Sequence, residues 1–533
     1  MIYENLLNAK NIAMVYIPQS EYESLKVENA ELSHKVDQLM EQLRLLQYRQ
    51  FAPKREKNLP IPGQIVMDIF NEAEVCADES IPEPELSEVK QHYRKRSRLI
   101  NDKLPEDLPV EIIEHTLPPE ERICPECGEI LDPIGKEERK VLKLIPASAI
   151  IEKHVYYSYG CRDCEENGTC AQIIKTPKEE PVIKGSFASP DAVAQIITQK
   201  YVMGAPLYRQ EKDFERNGIM LSRQTMSNWM LKSTEDWLEP VYNALKSYLL
   251  SRDVIFADET VLQVLKEPGK KAQSKSYLWM YRTGRDSPFQ SVVCEYQPDR
   301  KASHVAEFLS DYKGYIHTDG YSAYHNLPIE ITVVGCHSHA RRRFFDAVKG
   351  LKEKDREGSM AEKGVRYFDK LFEVERKVCS RTPTERYEKR LELAKPVLDE
   401  MHIWLKSLSP SPKSLLGKAV GYALGEWKYL ERYLLDGRLE ISNNLSERTL
   451  KSYVIDRKNF LFANTPRGAK SSAIMFSITE TAKENGLNPF KWLVYIFNNA
   501  PKWNIKDNPE MVHKLMPDQV PAYCKAATPK YDE

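Results

Sequence analysis

The sequence lacks any uninterrupted run of about 18 apolar residues, the length that a membrane-spanning helix needs. Its opening, MIYENLLNAK, lacks the order of basic then apolar segments that marks a secretory leader. It also lacks an excess of either charge, because 77 Lys and Arg meet 78 Asp and Glu for a net charge of -1. The first two absences predict a cytoplasmic chain with no membrane partner. The third removes net charge as an argument for nucleic acid and leaves that case to local clusters. What is present is ordinary for soluble domains: 41% apolar and 29% charged residues over 533 positions, enough for several folding units.

Ten cysteines in a chain read as cytoplasmic argue against disulfides. Cys124 and Cys127 form one CxxC pair and Cys161 and Cys164 another, which together supply four thiolates for one closed tetrahedral zinc site of structural type. The 33 residues between the pairs exceed the usual finger spacing, so an intervening hairpin must bring the knuckles together. Upstream, Leu25, Leu32, Leu39 and Leu46 repeat every seven residues, with Asn29, Val36 and Leu43 at the other seam position. This heptad pattern predicts a coiled coil over 20–50 and a homo-oligomer, with Asn29 favouring one register. Residues 51–120 read as a charged, Pro-containing linker, in which an acidic stretch from Glu72 to Glu88 is followed by the basic run KQHYRKRSR from Lys90 to Arg98.

Residues 185–250 read as helices. Ser189 and Pro190 begin one, Asn217-Gly218 stops the next, and Ser222 caps a third. Two helices joined by a short glycine-containing turn suit a helix-turn-helix, with Arg223, Gln224, Ser227 and Asn228 leading its second helix toward DNA. From residue 251 the pattern changes to strands RDVIFADET, SYLWMYRTG and FQSVVCEYQ, a helix from Arg300 to Tyr312, GYIHTDGYSAY, another helix and EITVVGC. Three strands, then helix, strand, helix, strand is the order of a ribonuclease-H-like α/β core. In that order Asp258 ends the first strand, Asp319 ends the fourth, and the two strands lie side by side. A helical insertion at about 337–440 follows. Asn443 then caps a helix carrying Glu447, Arg448 and Lys451, and residues 481–533 form a helical tail. Two strand-end aspartates and a helical glutamate are hard oxygen ligands suited to a pair of Mg²⁺ or Mn²⁺ ions and to phosphodiester chemistry. A metal set from Cys336, His337 and His339 is a weaker reading, crowded in sequence.

Taken in order, the motifs CPECGEILDPIG, YGCRDC, KYVMGAPLYRQEKDFERNGIMLSRQTMSNW, the triplet Asp258-Glu259-Thr260, HTDGYSAY, NNLSERTLK and RKNFLFA resemble transposases of the insertion sequence IS66 family over residues 20–500. The resemblance implies a multidomain α/β protein whose 251–480 segment is a catalytic domain with Asp258, Asp319 and Glu447 as its DDE triad, together with a zinc module at 121–170. It implies metal-dependent cleavage at element ends, strand transfer into target DNA, companion proteins from the same element, and a place on the nucleoid. His339, Arg341 and Arg342 match the family's basic segment and are expected at DNA phosphates. The chain departs from the family in having Phe51-Ala52, Arg55-Glu56-Lys57, His337 and Ser338 at motif positions. Two rivals from other classes are a regulator that binds DNA without cutting it and a nuclease that cuts without joining.

Overall fold

The computed structural model describes residues 150–159 and 174–527 except Leu461, together with Glu23, Ser24, Lys26 and Glu28. The four cysteines of the CxxC pairs, most of the heptad segment and the charged linker lie outside the described residues. The chain divides into a unit that includes 180–526 and one that includes 57–179. In the second unit the described residues form a two-residue antiparallel ladder, Ser158–Tyr159 with Ile174–Lys175. Among the described residues no helix is long and apolar enough to cross a membrane.

From residue 180 on, the larger unit holds three expected helices, α1 (Pro190–Tyr201), α2 (Leu207–Arg216) and α3 (Arg223–Ser233). The Ser189 side chain accepts the Ala192 N–H and that of Ser222 accepts the Thr225 N–H, so both starts are side-chain caps as the sequence implies. Gly218, at φ 76°, makes the turn between α2 and α3. A π-turn at Thr234–Leu238 joins α3 to α4 (Glu239–Leu250).

A five-stranded sheet follows: β1 (Val254–Gln263), β2 (Lys275–Thr283), β3 (Val292–Gln297), β4 (Gly314–His317) and β5 (Ile331–Val334). Its order is β3-β2-β1-β4-β5, antiparallel through β1 and parallel from β1 to β5. Three expectations need correction. β1 does not end at Asp258, because its hairpin with β2 continues to Gln263 opposite Lys275. The helix before β4 is shorter than Arg300 to Tyr312: α5 covers Ala302–Phe308. The connection from β4 to β5 is a 3₁₀ turn, Ser322–Asn326, because the link is too short for a packed α-helix.

Strand alternation divides the core. Ile255, Ala257, Trp279, Tyr281 and Val293 face a cluster shared with α1, α3, α4 and C-terminal helices. Val254 and Phe256 face the helical insertion, while Leu262, Val264, Leu278 and Met280 face helices that follow it. The insertion comprises α6 (His337–Lys349), α7 (Met360–Val378), α8 (Pro383–Leu393), α9 (Lys395–Ser407), α10 (Leu415–Gly425) and α11 (Trp427–Leu430). After it come α12 (Asn444–Phe460), α13 (Pro466–Glu484) and α14 (Pro489–Lys502). α13 runs through position 481 and covers the open edge of the sheet. Its Ser477 and Thr481 hydroxyls accept the β3 N–H groups of Cys294 (2.7 Å) and Val292 (3.0 Å), satisfying donors that an edge strand would otherwise expose.

Candidate functional site

Asp258 and Asp319 are brought together by register. Parallel pairing runs Val254 with Tyr315, Ile255 with Ile316 and Phe256 with His317, so two residues further along, Asp258 is level with Asp319. β4 stops there and Asp319 turns the chain, its Oδ1 accepting the Tyr321 N–H at 2.9 Å. Asp258 Oδ1 accepts the N–H of its own neighbour, Glu259, at 2.8 Å. On the same face of β1, apolar packing against the insertion ends at Phe256 and packing against α12 and α13 resumes at Leu262, leaving Asp258 and Thr260 at the seam.

The third carboxylate arrives on α12, and a side-chain hydrogen bond pins the start of that helix to β1. Asn443 was expected to cap α12. It stands at the cap position, its backbone carbonyl accepting the Glu447 N–H, while its buried Nδ2 donates 2.8 Å to the Ala257 carbonyl, one residue before Asp258. Further along α12, Arg457 bonds Thr260 Oγ1 and the Val261 carbonyl. The outcome is electrostatic frustration. Burial pushes the Asp258 carboxyl well above its ordinary value, and the charges of Glu259, Asp319 and Glu447 push it the same way.

Glu259 faces the other way. Its carboxylate, 3% exposed, accepts from Arg300 Nε at 2.9 Å and from the Tyr324 hydroxyl at 2.8 Å. Burial and the Asp319 charge raise its pKa, while these donors lower it. On the insertion side, a Cβ at Gly320 would stand 2.6 Å from the Tyr422 hydroxyl. Glycine therefore lets α10 close against the loop bearing Asp319.

The Glu447 carboxylate is turned toward α6. Its Oε1 is 3.5 Å from His339 Nδ1 and its Oε2 is 3.7 Å from Arg342. Among the described residues, the three ligand atoms that come within 4.8 Å of one another are those of Cys336, His339 and Glu447, not those of Asp258, Asp319 and Glu447. His337, which the sequence grouped with Cys336 and His339, points elsewhere: it is fully buried and its Nδ1 is 3.0 Å from the Ile441 carbonyl. Sequence reasoning missed the approach of Cys336 to Glu447 and the pinning role of Asn443. Both join residues more than a hundred positions apart, with no local signal.

The expected DNA contacts divide. Arg223, Gln224 and Asn228 are exposed at the start of α3, with Gln224 Nε2 donating to Asn228 at 3.1 Å. Arg342 and Arg448 are exposed and Lys451 is half-buried on helices beside Glu447. Arg341 is a correction. It is buried, and its Nε donates to Asp369 of α7 at 2.7 Å, so it holds the insertion together and is not presented to a phosphate.

The fold and site define a mixed α/β protein in which adjacent parallel strands and a pinned helix gather carboxylates beneath a helical insertion. Residues 185–471 match the family model described as "Transposase IS66 family", and the chain belongs to that family. Residues 121–165, which hold both CxxC pairs, match the zinc-finger binding domain of transposase IS66, and residues 477–517 match the IS66 C-terminal element. Residues 38–113 match a model described as "Transposase C of IS166 homeodomain". The chain is also similar to the uncharacterized proteins y4jD (30% identity, covering 70% of this chain and 74% of that protein) and y4qI (29% identity, 91% and 90%) of Sinorhizobium fredii. The family makes the chain a transposase, with the zinc-finger and DNA-binding character that its matched domains imply.

Proposed function

We propose that this transposase cuts DNA at the ends of an insertion sequence and joins the freed 3′-hydroxyls to target DNA, with Asp258, Asp319 and Glu447 as the DDE triad. The observation that carries this reading is the parallel register of β1 and β4, which sets Asp258 level with Asp319, while the Asn443 bond to Ala257 delivers Glu447 to the same region. The strand order β3-β2-β1-β4-β5, with three antiparallel strands followed by two parallel ones, supports a ribonuclease-H-like core.

The residues fit a divalent cation. Asp258 is surrounded by like charge and desolvated, a state that a cation relieves, and the donors are hard oxygens of the kind Mg²⁺ or Mn²⁺ takes. Two such ions would activate a water or 3′-hydroxyl and stabilise the leaving oxygen. Asp258 and Asp319 are fixed by backbone N–H bonds, so their carboxylates would hold cations with little rearrangement. Arg342, Arg448 and Lys451 stand beside Glu447 to receive phosphates, and α3 offers Arg223, Gln224 and Asn228 to the element end. Around this core the reading places a coiled coil at 20–50 as the oligomer contact, a single structural zinc on Cys124, Cys127, Cys161 and Cys164, and companion proteins from the same element on the nucleoid.

The test is incubation of the full chain with a labelled element end, a plasmid and Mg²⁺. Joined products support the proposal. Cutting without joining indicates a nuclease, and binding alone indicates a regulator.

A further inference from the structure

Cys336 is the residue before α6, almost fully buried, and its Sγ accepts the backbone N–H of Asn443 at 3.1 Å. A backbone N–H donated to the sulfur suits a thiolate ligand. Facing it are two atoms without hydrogen-bond partners: His339 Nδ1 and Glu447 Oε1 are buried, and at 3.5 Å apart they form no hydrogen bond with each other. Buried polar atoms are rarely left unpaired, and a pair of them aimed at a cysteine sulfur calls for a shared partner.

We infer that Cys336, His339 and Glu447 form a binding site for a zinc-like divalent cation, distinct from the CxxC module and from the aspartate pair. The three ligand atoms lie within 4.8 Å of one another. Tetrahedral zinc holds sulfur and nitrogen ligands about 3.5 Å apart, a closure that side-chain rotation supplies. One thiolate, one imidazole and one carboxylate select Zn²⁺ over Mg²⁺, and a three-residue set leaves a fourth position open. The cation would enter past His339 and Glu447, which are 28% and 27% exposed, while Cys336 closes the buried side. Binding would also hold Glu447 away from Asp258 and Asp319. This consequence rests on the proposed role of the triad, whereas the site itself does not.

The test counts cobalt bound by the full-length protein stripped of transition metals, using Co²⁺ as a probe whose thiolate bond gives a charge-transfer band. Whatever the CxxC module binds is common to all samples. Wild type is expected to bind about one more Co²⁺ per chain than Cys336→Ser or His339→Gln, with the extra thiolate band lost in Cys336→Ser. His339→Gln alters a part-exposed side chain, so it keeps the test decisive should Cys336→Ser fail to fold. Equal counts in wild type and His339→Gln would overturn the site. Cleavage with Mg²⁺ is scored separately: its absence in wild type counts against the triad, while the cobalt count answers for the Cys336 site alone.

Discussion

Asp258 and Glu259 are neighbours on β1, yet one faces carboxylates and the other faces donors. Asp258 meets the charges of Glu259, Asp319 and Glu447 with a single hydrogen bond from the backbone. On the opposite side, Glu259 also feels burial and the Asp319 charge, but Arg300 and the Tyr324 hydroxyl donate to it and oppose them. Both are desolvated, so burial alone does not separate them. The difference lies in the company each keeps: a carboxylate matched by donors is part of the fold, whereas one crowded by like charge stores a cost that only a ligand removes.

The strongest way to break this contrast is to neutralise each side. Asp258→Asn should lower Mg²⁺-dependent cleavage at least about a thousandfold, roughly 4 kcal/mol of transition-state stabilisation. Its stability should move the other way. A folded pKa raised above the unfolded value means stability is complete below the unfolded pKa and lost as pH rises through the folded one. At pH 7 without Mg²⁺, the uncharged Asn escapes that loss and the melting midpoint rises. Adding Mg²⁺ should raise the midpoint of wild type and leave that of Asp258→Asn unmoved. Glu259→Gln should keep cleavage within about tenfold of wild type, or about 1.4 kcal/mol. Glu259→Ala should cost about 2 kcal/mol of stability by leaving the Tyr324 hydroxyl unpaired. Wild-type cleavage by Asp258→Asn would end the assignment.

The contrast was partly legible in the sequence. An apolar run before each aspartate, and the three-strand opening, suffice to set β1 beside β4, and alternation suffices to turn Glu259 away. The continuation of β1 past Asp258 was hidden because DETVLQ is half-exposed and mostly polar there, and only its pairing with β2 extends it. Arg341 was misread as part of a uniform basic run. The overlooked signal was helical spacing, since His337, Arg341 and Phe344 share the buried face of α6. Asn443 takes the cap position that its residue type suggested, but the bond from its side-chain amide to β1 has no local signal.

The next effect in size tests whether the pin matters to the charged side. Asn443→Ala removes a buried bond to the Ala257 carbonyl and should cost about 1 to 3 kcal/mol in urea unfolding. Because it frees the start of α12, cleavage should fall roughly ten- to a hundredfold even under conditions where the protein is fully folded. Full activity in a destabilised Asn443→Ala would show that Glu447 reaches the aspartates without it.

Asp456 provides the smallest and most discriminating test, because it is a third buried carboxylate, about two and a half turns after Glu447 on α12, with lysines for neighbours. Burial raises its pKa to about 6, with Glu480 adding to the rise and Lys483 and Lys200 opposing it. Burial lowers Lys200 to about 8, against the pull of Asp456. The folded acid therefore holds its proton to higher pH than the unfolded one. Its contribution is complete below about pH 4 and is lost as pH rises through 6, by at most about 3 kcal/mol before solvent screening reduces it. Lys200 acts at the other limb, costing stability as pH falls from above 10 through 8. The difference in urea midpoint between Asp456→Asn and wild type should thus grow from pH 4.5 to pH 7, with the variant more stable at the higher pH. If desolvation alone marked catalytic carboxylates, Asp456→Asn would also lose cleavage. It should instead keep cleavage while shifting the pH profile of stability, and loss of cleavage with an unchanged profile would undo the distinction drawn between crowded and compensated carboxylates.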